Sequence, residues 1–453
     1  MKQILFISLL ILGLWACNDD GDRITVTDLP ENAFTFKPVT GGAVMHYVLP
    51  SDPDIVGVKV RYRNAFGVET LREGSSSCDS LTLIGFSEAR NDIPARVTLS
   101  YYNGRESQPF DVMFSTSDSG PVAFMKSVGC YPNWEGFSLN YHVPEGANGI
   151  VHVFYVGTNP VTNLPDTLLI NSFFLEETQQ EGGATSYKMK QNIADPTVVV
   201  KVEDFLGYTV GEKIWENVEN MSSKKLDAKN FDFYCDNSQE DLEYKLGVEY
   251  LFDGDTRGVV CFEDKKFHSF LAGPDAAGEN AHPMYIDLRE NRLTASVRLY
   301  NLYKNSAGLS WYNKGKAGLC NTYNENELPC EVTIYGLKDN GMTPFSYDEL
   351  DALEGWVKIG SFKEDKGLAV ADRWCKNTWH STNWTQGLDL AELKEAEDEY
   401  MEIVIPAFGQ GEGYRYLKMV INEVFNYSGN GTSYINTGKY VQFHELEVYT
   451  NKD

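Results

Sequence analysis

Apolar and polar residues alternate in short runs from Ala43 to Tyr449, and no long stretch shows the spacing of an amphipathic helix. Side chains of an extended strand point to opposite faces in turn, so such runs bury one face of a sheet and leave the other wet. Ile55-Val56-Gly57-Val58-Lys59-Val60-Arg61-Tyr62 is one such run and Arg96-Val97-Thr98-Leu99-Ser100-Tyr101-Tyr102 is another. Asn103-Gly104 follows the second, and Phe110-Asp111-Val112-Met113-Phe114 comes after it. Asn-Gly favours the left-handed backbone of a tight hairpin, so the two runs are predicted to pair. Runs and turns at this spacing predict an all-β chain built of sandwiches.

The pattern repeats. Phe137-Ser138-Leu139-Asn140-Tyr141-His142-Val143-Pro144 matches Ala43-Val44-Met45-His46-Tyr47-Val48-Leu49-Pro50, with Tyr three residues before Pro in each. Gly149-Ile150-Val151-His152-Val153-Phe154-Tyr155 matches the run that begins at Ile55, at an offset of about 94 residues. Two tandem immunoglobulin- or fibronectin-III-like sandwiches are therefore predicted, at 31–118 and 119–222. With 453 residues the chain has length for about three domains, and the third is placed at 223–451.

That third stretch opens on Tyr250-Leu251-Phe252-Asp253-Gly254-Asp255-Thr256. Strands are predicted at Pro283–Leu288, Ala295–Tyr300, Glu331–Gly336, Trp356–Phe362, Tyr414–Ile421 and Phe443–Tyr449. The Asp-Gly-Asp turn, Ile334-Tyr335-Gly336, Arg415-Tyr416-Leu417-Lys418 and Glu445-Leu446-Glu447-Val448-Tyr449, in this order, resemble the discoidin (coagulation factor 5/8 type C) family. The resemblance implies a galactose-binding-like jelly roll.

The N-terminus carries an address. Met1-Lys2 is followed by an apolar run from Ile4 to Trp15, too short to span a bilayer and suited to a signal peptide over 1–16. It ends in Leu14-Trp15-Ala16-Cys17, which resembles a bacterial lipobox with Cys17 as the lipidated residue. Residues 17–30 then read as a polar tether, and Asn18-Asp19-Asp20-Gly21-Asp22 resembles the surface-export signal of Bacteroidetes lipoproteins. The whole order resembles surface glycan-binding lipoproteins of that group. It implies outer-membrane anchoring facing the exterior, a polysaccharide or oligosaccharide ligand, and work beside an importer complex.

The chain has 39 basic and 65 acidic residues, a net charge of −26, which opposes nucleic acid as a partner. No metalloprotease, nucleophile-elbow or phosphate-loop motif occurs, so binding is expected rather than catalysis. With 65 acids, a hydrolytic carboxylate pair is not excluded, and a scaffold for a protein partner is the other alternative. Lipidation of Cys17 leaves seven of the eight cysteines; Cys320 and Cys330 flank a loop that can pair them or leave them as core thiols.

Sugars stack their C–H faces on aromatic rings and hydrogen-bond through their hydroxyls. In the resembling fold the sugar loops cluster at one end, and His268, Tyr303, Trp311, Tyr312, Tyr427 and Tyr434 are the candidates there. Trp379, His380 and Trp384 form a further stretch, and a tryptophan there can equally cap the core. Lys304 stands where a galactose-binding relative carries arginine, so a galactose preference does not carry over. Asp253 and Asp255 are candidate ligands of a structural calcium ion, and the resemblance brings in Glu445. The alternative is an Asp-Gly turn whose carboxylates cap backbone amides.

Overall fold

The computed structural model describes residues 29–175, 184–204, 207, 209–309, 312–314, 317–319, 324–339, 341, 346–378, 387–426 and 436–451. The chain is all-β, its few helices short, and it forms two compact units.

The first unit comprises Met1–Gly129, Asn140–Gly183 and Thr197–Trp215. Strands Phe34–Val39, Gly42–Tyr47 and Ser80–Ile84 form a three-stranded antiparallel sheet. A four-stranded sheet runs in the order Glu69–Ser75, Ile55–Arg63, Arg90–Tyr101, Phe110–Thr116. The alternation decides which side is which. Val58, Val60 and Tyr62 are buried with Met45, Leu83, Val97 and Phe114, while Lys59, Arg61 and Arg63 take the opposite face. The Asn103-Gly104 hairpin is present: Gly104 has φ +80° and the flanking strands pair. Gly42 cannot carry a side chain, because a Cβ there would lie 1.9 Å from the Leu83 carbonyl oxygen. Also in this unit is an antiparallel sheet in the order Pro165–Phe174, Ile150–Thr158, Val198–Glu203, Thr209–Trp215.

The second unit comprises Cys130–Leu139, Ala184–Pro196 and Glu216–Asp453. The cut between units thus falls inside 119–222 rather than at 222. Its C-terminal part is a two-sheet sandwich. One sheet runs Ser223–Lys225, Glu445–Asn451, Thr294–Tyr300, Tyr400–Val404. The other runs Asp232–Tyr234, Met284–Arg292, Tyr414–Val424, Pro329–Leu337, Val357–Lys363. Ile286, Leu288, Val297, Leu299, Ile334, Leu417 and Val448 fill the space between them.

On the second of these sheets Arg415 and Asp287 form a buried pair, their side chains 10% and 6% exposed. The guanidinium donates through Nε at 2.9 Å and Nη2 at 3.1 Å to the two carboxylate oxygens, and Nη1 reaches Asp339 at 3.2 Å. The stretch 130–134 is fastened to this sandwich. Trp134 Nε1 donates to the Ile405 carbonyl at 2.9 Å, and the Ala407 amide donates to the Asn133 side chain at 3.1 Å.

Candidate functional site

The outward face of the four-stranded C-terminal sheet carries a cluster of aromatic and charged side chains. Ala295, Val297 and Leu299 point into the sandwich, so Ser296, Arg298 and Tyr300 point out. By the same alternation Tyr400 and Glu402 face out beside buried Met401 and Ile403, and Glu447 and Tyr449 share that face beside buried Leu446 and Val448. Register sets Arg298 between Glu447 and Glu402.

The Arg298 guanidinium lies 4.2 Å from the ring centres of both Tyr400 and Tyr449, a cation–π sandwich. Its Nε donates to Glu402 at 3.0 Å and its Nη1 to the Tyr449 hydroxyl at 3.0 Å. Glu447 accepts Lys225 Nζ and the Tyr300 hydroxyl at 2.5 Å each, and the Tyr449 hydroxyl at 2.9 Å. Burial alone would raise the Glu447 carboxyl; Lys225 and the two hydroxyls hold it below its ordinary value. Burial, with Glu447 beside it, pushes the Tyr449 hydroxyl up to about 12, so it stays a donor. The Arg298, Glu402 and Lys225 side chains keep 23%, 26% and 46% of their surface. A hydroxylated ligand would meet ring edges, the guanidinium and Glu402, because Tyr300 and Glu447 are only 2% and 6% exposed.

The loop-end candidates fare differently. Tyr303 is a correction: it is wholly buried and its hydroxyl donates to the Glu397 carbonyl, so its ring has no face for a sugar. Lys304 and Asn305 are buried beside it. His268 is 13% exposed, bonded through Nε2 to Asp264 at 2.7 Å, with its ring against Tyr250 at 5.3 Å. Most of that imidazole is thus committed within the protein. The backbone of Tyr312 pairs with Leu319 in a short hairpin. Trp311, Tyr427, Tyr434, Trp379, His380, Trp384 and Cys17 lie outside the described residues.

The calcium candidates lie at a turn and on the closing strand. Gly254, at φ +85°, makes the turn. Asp255 accepts the amides of Val259 and Val260 at 2.7 Å each, capping the first turn of helix Val259–Asp264, and lies 3.6 Å from His444 Nε2. Burial would raise its carboxyl, but His444 and those amides hold it down at about 2. That carboxylate is spent on the capping alternative. Glu445 is 1% exposed, and burial and then the Asp253 charge push it up to about 8. Among the described residues no group of three or more His, Cys, Asp and Glu side chains is placed to hold a metal.

The thiols Cys78, Cys130, Cys235, Cys261 and Cys330 are free, and Cys78 is exposed. Burial pushes Cys130, Cys235 and Cys330 up to about 12 and raises Cys261 as well. Cys330 is a core thiol here, and Cys320 lies outside the described residues.

No curated protein matches the sequence. Among solved structures the chain is similar to the SusE-like protein BT2857, at 14% identity over 73% of this chain and 98% of that one, with a TM-score of 0.38. It is similar to a fucolectin from striped bass (Morone saxatilis) serum, at 10% identity over 74% and 89%, with a TM-score of 0.22. A two-domain fibronectin type III segment of chicken tenascin matches at 14% identity over 41% and 97%, with a TM-score of 0.18. These scores are too low to carry an argument about function. Residues 30–116 match a family model described as a domain of unknown function, DUF4959.

Proposed function

We propose that the protein is a non-catalytic surface lipoprotein that binds a glycan through its C-terminal sandwich, as an accessory to outer-membrane polysaccharide import. The Arg298–Tyr400–Tyr449 surface carries this reading. It combines aromatic carbon with fixed donors and acceptors, the two things a sugar ring asks of a protein. It speaks against hydrolysis there, because Glu447 is held ionised by three donors and cannot serve as the acid of a carboxylate pair.

The test is calorimetry of the chain without residues 1–17 against a panel of polysaccharides. Tyr400→Ala and Tyr449→Ala, each still folded by its melting curve, are expected to weaken the ligand found by about tenfold, near 1.4 kcal/mol. If both leave binding intact while alanine at Trp311, Tyr427 and Tyr434 removes it, the site belongs to the loops. If no polysaccharide binds, the glycan reading fails. Anchoring is tested separately: Cys17→Ala is expected to leave the membrane fraction or stay unprocessed, and a matured, membrane-bound variant would refute lipidation.

One observation favours the scaffold alternative. Ile214, Val199, Phe154 and Leu169 are successive cross-strand partners in the sheet of the first unit, and Ile214 and Leu169 are 54% and 53% exposed. Val199 within the row is 5% exposed, so it is the two outer residues that offer apolar surface to a protein partner.

A further inference from the structure

The first sandwich offers a second, chemically distinct site. Its four-stranded sheet carries an open trough of about 500 Å³ lined by Arg61, Arg63, Arg96, Glu69, Asp111 and Met113 among others. Arg61 and Arg96 are direct cross-strand partners, and Arg63 lies two residues along the same strand. Residues on one sheet face at these offsets sit roughly 5–8 Å apart, so three guanidinium groups crowd one patch. Like charges set this way repel, and the lining carboxylates Glu69 and Asp111 offset part of that repulsion. Residues 30–116 hold 8 basic and 10 acidic residues, so nearly all of the negative charge lies elsewhere.

The three arginines are not equally satisfied. Arg61 is bidentate to Glu106 at 2.8 Å through both terminal nitrogens, and Lys59 and Thr98 share that carboxylate. Its charge is spent. Arg96 has only a 3.7 Å approach to Asp111, with the two side chains 73% and 87% exposed. Arg63 faces Glu69 across the strands yet, among the described residues, has no hydrogen-bond or ion-pair partner. On one face, then, Arg63 is unpaired among the described residues and Arg96 is held only by an exposed, long ion pair to Asp111, and Met113, 66% exposed, lies beside them as an apolar contact.

We propose that this trough binds a carboxylate-bearing oligosaccharide, with Arg63 and Arg96 each taking a carboxylate and Met113 packing against a ring face. The inference rests on the glycan-binding reading in taking the ligand to be a saccharide. A guanidinium matches a carboxylate with two parallel donors, whereas a lysine is a point charge. Arg63 and Arg96 stand on neighbouring strands, offset along the sheet. That spacing suits charges on neighbouring sugar units better than a single compact phosphate. The open shape suits an extended chain.

The experiment uses the chain without residues 1–17 and three acidic probes: oligogalacturonate, alginate fragments and hyaluronan fragments. Neutral galactan and sulfated heparin fragments are the comparisons. Binding of at least one carboxylated probe is expected. It should weaken about tenfold in Arg63→Ala/Arg96→Ala, less in Met113→Ala, and fall as salt rises from about 50 to about 300 mM. These are surface positions outside the Arg61–Glu106 network, so the melting temperature should hold. Failure of all three probes overturns the proposal, as does undiminished binding by the double variant or tighter binding of heparin. Tyr400→Ala and Tyr449→Ala separate the two sites. Their loss of a glycan that the arginine double variant still binds leaves the C-terminal reading standing and refutes this one if that glycan is the carboxylated probe.

Discussion

Arg415→Met is expected to cost the C-terminal sandwich about 3–5 kcal/mol of stability. The reason is the charge left behind. Asp287 is 6% exposed, and its two oxygens face the guanidinium that the substitution removes. Methionine refills much of the volume, so a cavity is a minor part of the loss. Asp287 also accepts the Arg289 amide at 2.8 Å, which fixes a residue of positive φ at the bulge. The companion variant must keep that acceptor, and Asp287→Asn does so without the charge. Arg415→Met/Asp287→Asn is therefore expected to recover about half of the loss or more. Urea unfolding of the wild type, both single variants and the double variant measures the coupling. A single variant within about 1 kcal/mol of wild type would show that the pair is solvated and that the burial argument is wrong.

Raising the pH from about 5 to about 9 in a chelator is expected to destabilise the same sandwich by on the order of 3 kcal/mol. Glu445 is responsible. Its carboxyl stands at about 8 in the folded chain, against an ordinary value of 4.5, because it is buried beside Asp253. Folding therefore takes up a proton between these values. Stability is fullest below about 4.5, falls as pH rises, and this contribution is gone above about 8. Glu445→Gln keeps the shape and cannot ionise, so its melting temperature should lose most of that slope. A cation held by Asp253 and Glu445 would favour both ionised forms, so calcium is expected to restore the wild type near pH 8 and to leave Glu445→Gln unchanged. Equal curves with chelator and with calcium would rule calcium out at Asp253 and Glu445. A flat wild-type profile would remove the buried-carboxyl account as well.

The strands were legible because burial on one face writes itself into the chain at every second residue. Alternation around Val58, Val60 and Tyr62, the Asn103-Gly104 turn, and the runs beginning near Ala295 and Tyr414 all lead to observed strands. The site was less legible, because it is a property of neighbouring strands. Arg298, Tyr400 and Tyr449 meet only once three distant segments adopt their register. The alternation at Ser296, Arg298 and Tyr300 shows that they share a face, but not which partners complete it. Tyr303 misleads for a related reason. It is followed by Lys304 and Asn305, which look like an exposed loop, but the Lys304 amide donates to Asn377 and its carbonyl accepts from Leu388. Two later segments cover the stretch, and nothing local in the sequence announces that cover.

The thiols described above have a practical consequence. The thiolate, not the thiol, attacks an alkylating reagent, so burial that raises a cysteine also silences it. Among the described cysteines Cys78 is the one that is exposed. A maleimide dye at neutral pH should therefore enter the first sandwich at Cys78 while Cys130, Cys235, Cys261 and Cys330 stay unlabelled. With the two residues outside the described set, Cys17 and Cys320, replaced by serine, the natural sequence supplies a single-fluorophore position without rebuilding its core. A fluorophore there would report ligand capture on the arginine-lined sheet through anisotropy, independently of any signal from the C-terminal tyrosines.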